Sequence, residues 1–174
     1  MGIKAPSLYK HFRNKQQIFD ALIEDMTRRY AEGARKIGID GADAREDAGL
    51  FAHISEDALV EIGRELFLYF LHDSHMSRFR RVLTLEQFKN PALGRLYTRQ
   101  YFIDPIAYQS GLFRLLAEAG RFSTADPELL AVEFYAPIYA LLTVCDRDPS
   151  FEADALRLIE AHIRRFNGHF GGNS

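Results

Sequence analysis

Apolar residues recur at intervals of three and four along most of the chain. Because such intervals return to one face of an α-helix, each run predicts an amphipathic helix. Four long apolar stripes cover residues 18–30, 59–71, 130–142 and 155–166. The alternating pattern of a half-buried strand is nearly absent. The sequence therefore predicts an all-α chain.

Capping residues indicate where several of these helices begin. A side-chain acceptor stands before a proline, whose missing N–H is not needed in the first helical turn, at Asn90-Pro91, Asp104-Pro105 and Asp126-Pro127. Ser55 is followed by two acids, and Asn14 with Gln17 resembles a capping box. These signals predict helices at about 5–12, 15–36, 55–73, 76–89, 91–102, 105–119, 127–144 and 152–168, each boundary to within about three residues.

Composition indicates a compact globular chain rather than a disulfide scaffold or a disordered tail. The 174 residues are 47% hydrophobic and include a single cysteine, Cys145, which we expect to be a buried small hydrophobe. No apolar run approaches the roughly 20 residues that cross a bilayer, and no signal peptide is recognisable. We therefore expect a cytoplasmic protein with no membrane partner.

Charge is distributed unevenly. The chain through Lys36 has eight basic and four acidic residues, whereas the remainder has 14 basic and 20 acidic residues. This asymmetry predicts a basic head for a polyanion and an acidic body for another partner. Glycines and charges between residues 38 and 49 indicate a loop or linker, so we predict a head at 1–38 and a body at 50–170.

The opening segment carries the most specific chemistry. In a short helix over residues 5–12, Leu8 and Phe12 share a face, which Ile3 can join, and polar and basic side chains are left on the other face. Such a helix suits the major groove of DNA and its flanking phosphates. The alternative for Tyr9 and His11 is a partly buried aromatic pair that closes the helix corner.

This segment resembles the recognition helix of the tetracycline-repressor (TetR) family, which reads Gly-Val-Ser-x-x-Thr-Leu-Tyr-x-His-Phe-x-x-Lys. The matching residues are Gly2, Ile3, Ser7, Leu8, Tyr9, His11, Phe12 and Lys15. The resemblance implies an all-α fold with a TetR-like helical ligand-binding and dimerisation domain after a partial helix-turn-helix. It also implies DNA-binding roles for Lys4, Ala5, Pro6 and Ser7 near base edges, and for Tyr9, His11 and Lys15 at phosphates, with Lys10 as a further candidate.

Two features depart from the family pattern. Lys4 stands where the family often has a capping Ser or Thr, which Pro6 offsets in part. The family also places two helices before this point, and the first helix of a helix-turn-helix braces the second. Either a truncated start or a natural fragment that kept dimerisation and lost DNA binding explains the gap, and we favour truncation because the recognition-like helix has little use without its brace. In both cases we expect weak operator binding or none.

The middle helices are rich in aromatic residues, which suits an apolar pocket with a few polar anchors. Core packing is the alternative for any single ring. With the TetR resemblance, they predict a site for a small hydrophobic or aromatic effector, lined by Phe67, Phe70, Phe88, Tyr97, Tyr101, Phe113 and Tyr135.

The last two helices have wide apolar faces, and in the TetR family the last two helices pair with their copies in a second subunit. The predicted homodimer interface comprises Phe134, Ile138, Leu141, Leu142, Ile159, Ile163 and Phe166. The alternative is that these residues close the core of the monomer.

No catalytic constellation is visible, and we expect neither a metal nor another cofactor. His72 and His75 are better explained as residues near the end of a helix than as metal ligands. The hypothesis favoured by the sequence is a ligand-responsive transcriptional repressor that binds operator DNA as a homodimer. The alternatives are an all-helical dimeric module that binds a ligand or partner without DNA and, more remotely, a small helical enzyme.

Overall fold

The computed structural model describes residues 14–36, 38–41, 43–121 and 126–170. Within these ranges all regular structure is helical, which confirms the predicted class. The predicted helix at 5–12 lies outside the described residues. The elements are α1 (Lys15–Lys36), α2 (Ala44–Phe51), α3 (Glu56–His72), α4 (Ser74–Glu86), α5 (Pro91–Thr98), a π-helical turn (Arg99–Ile103), α6 (Asp104–Glu118), α7 (Pro127–Arg147), a 3₁₀ turn (Pro149–Phe151) and α8 (Glu152–Phe170).

Most of the predicted caps form as expected. The Ser55 hydroxyl accepts a hydrogen bond from the Ala58 N–H at 3.2 Å, and Asn90 and Asp126 cap α5 and α7 in the same manner. The Gln17 N–H donates to the Asn14 side chain at 2.9 Å. Each acceptor satisfies an N–H that the first helical turn leaves without an intrahelical partner, so these starts are decided locally.

The predicted break at Asp104-Pro105 is wrong. The backbone stays helical from Pro91 to Glu118, and the Asp104 N–H donates to the Arg99 carbonyl across the π-helical turn. Asp104 forms no cap, since its carboxylate lies 3.3 Å from the Arg99 guanidinium. The wider turn next to Pro105, which has no N–H to donate, allows the helix to continue.

Residues 38–49 are not a simple linker. Asp43 caps α2, and the Asp47 carboxylate is 97% buried while it accepts from the Asp40 and Gly41 N–H groups and from the Tyr108 hydroxyl. These bonds fasten the segment after α1 to α6. The sequence showed its glycines and charges, but not that one of its acids is buried in the body.

The closed part of the core is built around a fully buried arginine. Arg80 on α4 donates to both carboxylate oxygens of Asp146 on α7, at 2.5 and 2.8 Å, and to the Phe70 carbonyl at the end of α3. Burial opposes ionisation of Asp146, but the hydrogen bonds from Arg80 and Arg81 outweigh it and hold the pKa of this carboxyl below its usual value. Cys145, which precedes Asp146 in the chain, is buried, as predicted.

Helix α7 is long and apolar enough to cross a membrane by length and composition, and it is the one such helix among the described residues. The expectation that no segment reaches this length and apolarity is therefore wrong for α7. In the fold it packs against α3, α6 and α8. About 28% of its most apolar 18-residue stretch is buried, so one face of this helix stays exposed.

Candidate functional site

A cavity of about 770 Å³ lies between α1, α3, the π-helical turn, α6, α7 and α8. This volume is within the range of small-molecule sites, roughly 300–1,000 Å³. Aliphatic residues of α3, α6, α7 and α8 form part of the wall, and aromatic rings form much of the rest. The rings that line it are Tyr30, Phe51, Phe67, Phe70, Tyr101, Tyr108, Phe113, Phe134, Tyr135, Tyr139 and Phe166.

Five of the seven residues predicted to bind the effector lie together at this cavity: Phe67, Phe70, Tyr101, Phe113 and Tyr135. Phe88 is a correction, because it lies beyond the end of α4 with its side chain 91% exposed and does not reach the cavity. Tyr97 is not part of the lining either. Its hydroxyl lies 2.6 Å from that of Tyr139, and its ring supports Tyr101 from behind at a centroid distance of 5.4 Å.

Sequence reasoning missed three tyrosines of the wall. Tyr139 stacks between Tyr101 and Tyr135, with centroid distances of 5.8 and 5.9 Å. Tyr108 comes from α6, and Tyr30 comes from α1, where the sequence pattern assigned it to an apolar stripe. The sequence did offer one signal for these tyrosines, a hydroxyl on an otherwise apolar helix face. Tyrosine combines a buried ring with a polar tip, which suits the wall of a ligand site.

The phenols of the wall fall into two groups. The hydroxyls of Tyr108 and Tyr139 are used within the protein, by Asp47 and Tyr97 respectively. Those of Tyr30, Tyr101 and Tyr135 form no hydrogen bond within the described part of the chain. Burial raises the pKa of Tyr30 to about 12 and raises the pKa values of Tyr101 and Tyr135 well above the ordinary value, so all three remain protonated donors near neutral pH.

The charged groups of the described lining already have partners. Glu56 accepts from Arg164 at 2.9 Å and from Asn167 at 3.1 Å, and these hydrogen bonds lower the pKa of Glu56. Asp104 pairs with Arg99, as described above, and Arg121 also has a partner in the protein. The cavity therefore combines aromatic surface, three open hydroxyls and paired charges.

Helix α1 is attached to the body beside this cavity. The Tyr69 hydroxyl of α3 donates to the Arg29 carbonyl at 2.7 Å, and the Tyr30 ring packs on Phe70 with centroids 5.6 Å apart. At Gly33 a Cβ atom would lie 2.6 Å from the Tyr69 ring, so α1 and α3 approach closely because this position has no side chain. Two residues of α1, Thr27 and Tyr30, thus line the cavity, while Arg29 and Gly33 hold the helix against α3.

Two solved structures share this architecture. One is a protein from Mesorhizobium loti MAFF303099 provisionally assigned as a TetR-family transcriptional regulator, with a TM-score of 0.68 and 20% identity over 96% of this chain and 80% of that one. The other is SmeT, the repressor of the Stenotrophomonas maltophilia multidrug efflux pump SmeDEF, with a TM-score of 0.59 and 15% identity over 96% of this chain and 74% of that one. The chain has the TetR-like fold. No protein-family model and no curated protein matches it.

Four of the seven predicted dimer residues of this TetR-like chain, Leu142, Ile159, Ile163 and Phe166, are buried inside the protomer, which is a correction. Phe134, Ile138 and Leu141 are only partly buried where they pack against the core. Helical periodicity identifies an apolar face but not what covers it. The exposed faces of α7 and α8 carry different small or apolar residues, namely Leu129, Val132, Ala136, Ala140, Leu158 and Ala161.

The predicted DNA-binding residues Lys4, Ala5, Pro6, Ser7, Tyr9, Lys10 and His11 lie outside the described part of the TetR-like fold. Lys15 is the first residue of α1, and its side chain is likewise not described. The structure does describe α1 from its first residue to its contacts with the cavity. The segment that resembles a recognition helix is therefore continuous in sequence with a helix that borders the candidate ligand site.

Proposed function

We propose that the protein is a ligand-responsive DNA-binding transcriptional regulator, of the repressor type, that acts in the cytoplasm as a homodimer rather than as an enzyme. The observation that carries the proposal is the position of Tyr30. This residue belongs to α1, which directly follows the recognition-like segment, and it lines the cavity of about 770 Å³. The TetR-like fold and the printed role of SmeT as a repressor support this interpretation.

In this proposal the effector acts on the packing contact between α1 and α3, called the seam below. The seam has few contacts, chiefly the Tyr69–Arg29 hydrogen bond, the Tyr30–Phe70 ring contact and the close approach at Gly33. An effector that prefers one arrangement of Tyr30 and Phe70 shifts α1 toward that arrangement by the difference in its affinities for the two. In a dimer, such a shift changes the separation of the two DNA-binding segments relative to the half-sites.

The proposed homodimer uses the exposed faces of α7 and α8. On α7, Leu129, Val132, Ala136 and Ala140 follow helical spacing along one exposed face. Small residues allow two helices to approach closely, and a two-fold axis would place each face against its own copy. This face replaces the buried residues predicted from the apolar stripes.

The dimer is tested by placing a charge on this face. Ala140→Arg is expected to raise the dimer dissociation constant at least about tenfold, because it introduces a charge and bulk at a close helix contact. Sedimentation velocity over a range of concentrations measures the change. Ala119→Arg, at an exposed position at the end of α6, is the matched control. Equal association of both variants would refute this interface.

DNA binding is tested by selecting sequences from a random duplex library with the chain at low ionic strength. At this ionic strength we expect weak enrichment of a two-fold symmetric site. Lys10→Ala is expected to weaken binding about three- to tenfold further and to reduce the slope of log K against log salt by about one. Lys89→Ala removes an exposed charge far from this segment in sequence and should leave binding unchanged. If no sequence is enriched while small ligands still bind, the chain is instead a ligand-binding module without DNA-binding activity.

A further inference from the structure

Three phenols from three different elements line the cavity, and their hydroxyls have no hydrogen-bond partner in the part of the chain that the structure describes. Tyr30 is on α1, Tyr101 is in the π-helical turn, and Tyr135 is on α7. Among the described side chains, every nitrogen or oxygen atom that is fully buried has a hydrogen-bond partner. Since these three hydroxyls have no partner among the described residues, none of their oxygens is fully buried, and all three residues line the cavity.

The π-helical turn contributes to this arrangement. It places both Gln100 and Tyr101 in the cavity wall, whereas Phe102 packs edge-on against the Tyr139 ring at 5.0 Å. Turns of this type occur frequently at functional sites because they redirect side chains without ending the helix. Tyr101 is 96% buried in the protomer, and its hydroxyl is not fully buried.

The same wall argues against a charged ligand. The described charged groups at the cavity are Glu56, Asp104 and Arg121, and each has a partner within the protein. A ligand that carried a full charge would lose hydration without gaining a counter-ion there. Tyr139 stacks between Tyr101 and Tyr135, so its two faces are not available to a cation.

We propose that the effector is a neutral aromatic compound that carries oxygen acceptors, and that the hydroxyls of Tyr30, Tyr101 and Tyr135 donate hydrogen bonds to them. This inference rests on the proposed function of the cavity as the effector site. The flat rings fill the aromatic interior, and the oxygens satisfy donors that the protein leaves open. Because Tyr30 belongs to α1, the hydrogen bond to it joins the effector directly to the helix that follows the DNA-binding segment.

Three probes of nearly equal size separate the possibilities: biphenyl, 4,4′-dihydroxybiphenyl and N-methyl-4-phenylpyridinium. They represent an apolar, an oxygen-bearing neutral and a cationic two-ring ligand. Hydrophobic transfer alone favours biphenyl, so tighter binding of the diol requires polar partners in the cavity. Isothermal titration calorimetry with the full chain is expected to give the diol an affinity about tenfold above that of biphenyl and of the cation.

Phenylalanine variants then identify the partners. Tyr101→Phe, Tyr135→Phe and Tyr30→Phe should each reduce the preference for the diol over biphenyl by about three- to tenfold, with biphenyl affinity unchanged. Tyr69→Phe is the matched control, because it removes a hydroxyl that bonds the Arg29 carbonyl and does not line the cavity. Circular dichroism and thermal unfolding verify that each variant is folded.

The outcomes are distinguishable. Equal binding of biphenyl and the diol, tighter binding of the cation, or an unchanged preference in all three variants overturns the inference while the cavity remains a ligand site. If none of the probes binds at up to millimolar concentration, both the inference and the proposed effector site fail. A preference for the diol that Tyr69→Phe retains and the three variants lose supports the inference.

Discussion

The protein has two regions with polar groups in its interior, the Arg80–Asp146 cluster and the cavity wall, and they differ in whether those groups are hydrogen-bonded. Around Arg80 each guanidinium nitrogen has an acceptor: Asp146 takes two of its hydrogen bonds, and the Phe70 carbonyl takes the third. Asp146 accepts one more from Arg81. At the cavity wall, the hydroxyls of Tyr101 and Tyr135 have none within the described chain. Both sets are held by the same helices, α3 and α7 among them. The comparison shows that a satisfied buried polar group fixes the fold, whereas an unsatisfied one that faces open volume is available to a ligand.

The largest effect is expected from breaking the closed interior. Arg80→Ala leaves the Asp146 carboxylate partly buried and deprives it of its main partner, which should lower the free energy of unfolding by about 3–5 kcal/mol. Urea denaturation followed by circular dichroism measures the loss. Arg81→Ala removes an exposed arginine from the same carboxylate and should cost less than about 1 kcal/mol. Equal losses would show that burial of Arg80 is not what matters.

A smaller effect is expected at the seam between α1 and the cavity. Gly33→Ala places a methyl group within 2.6 Å of the Tyr69 ring and should cost about 1–3 kcal/mol, despite the higher helix propensity of alanine. Gly49→Ala is the opposite case. Nothing lies within 4 Å of its added methyl group on α2, so the variant should gain about 0.5–1 kcal/mol. Thermal unfolding of both variants tests the contrast, and a gain at Gly33 would contradict the close packing.

Tyr108→Phe tests a cavity phenol that is already used within the protein. Its hydroxyl bonds the buried Asp47 carboxylate at 2.5 Å, so its removal should cost about 1–2 kcal/mol in urea denaturation. The preference for an oxygen-bearing ligand over an apolar one should remain. Loss of that preference without loss of stability would place Tyr108 among the ligand-binding phenols.

The Arg80–Asp146 pair also predicts a dependence of stability on pH. Because the pKa of Asp146 is lowered in the folded state, its contribution is present above the unfolded value near 3.8 and is lost as the pH falls through the lower folded value. Asp146→Asn should destabilise the protein at neutral pH and flatten this acid limb of the stability curve. Denaturation series between about pH 2.5 and pH 7 compare how steeply the free energy of unfolding of the two proteins depends on pH. If the acid limb of the variant were unchanged, Asp146 would not be a source of the pH dependence.

The smallest effect is expected at the open interior. Tyr135→Phe removes a hydroxyl that has no hydrogen-bond partner within the described chain, so stability should change by less than about 0.5 kcal/mol. Thermal unfolding of the ligand-free variant measures this value. A loss comparable to that of Tyr108→Phe would mean that the Tyr135 hydroxyl is satisfied within the folded protein.

Local chemistry accounts for the parts of the fold that the sequence predicted well. Ser55, Asn90 and Asp126 cap helices within three residues of themselves, and Gly120 adopts a positive φ of 72° after α6, which glycine does without strain. Five members of the predicted ligand set meet at one cavity because aromatic residues on core-facing stripes converge between helices. These features depend on a few neighbouring residues or on helical periodicity alone.

The sequence by itself determined the all-α class, most helix starts and the uneven distribution of charge. Tertiary structure decided which apolar faces meet, and so it moved Ile159 and Ile163 from a predicted subunit interface to the core. It also decided which phenols are satisfied, because the partners of Tyr108 and Tyr139 lie 61 and 42 residues away in the chain. Periodicity fixes the direction of a side chain on its own helix, whereas its partner depends on how distant helices pack.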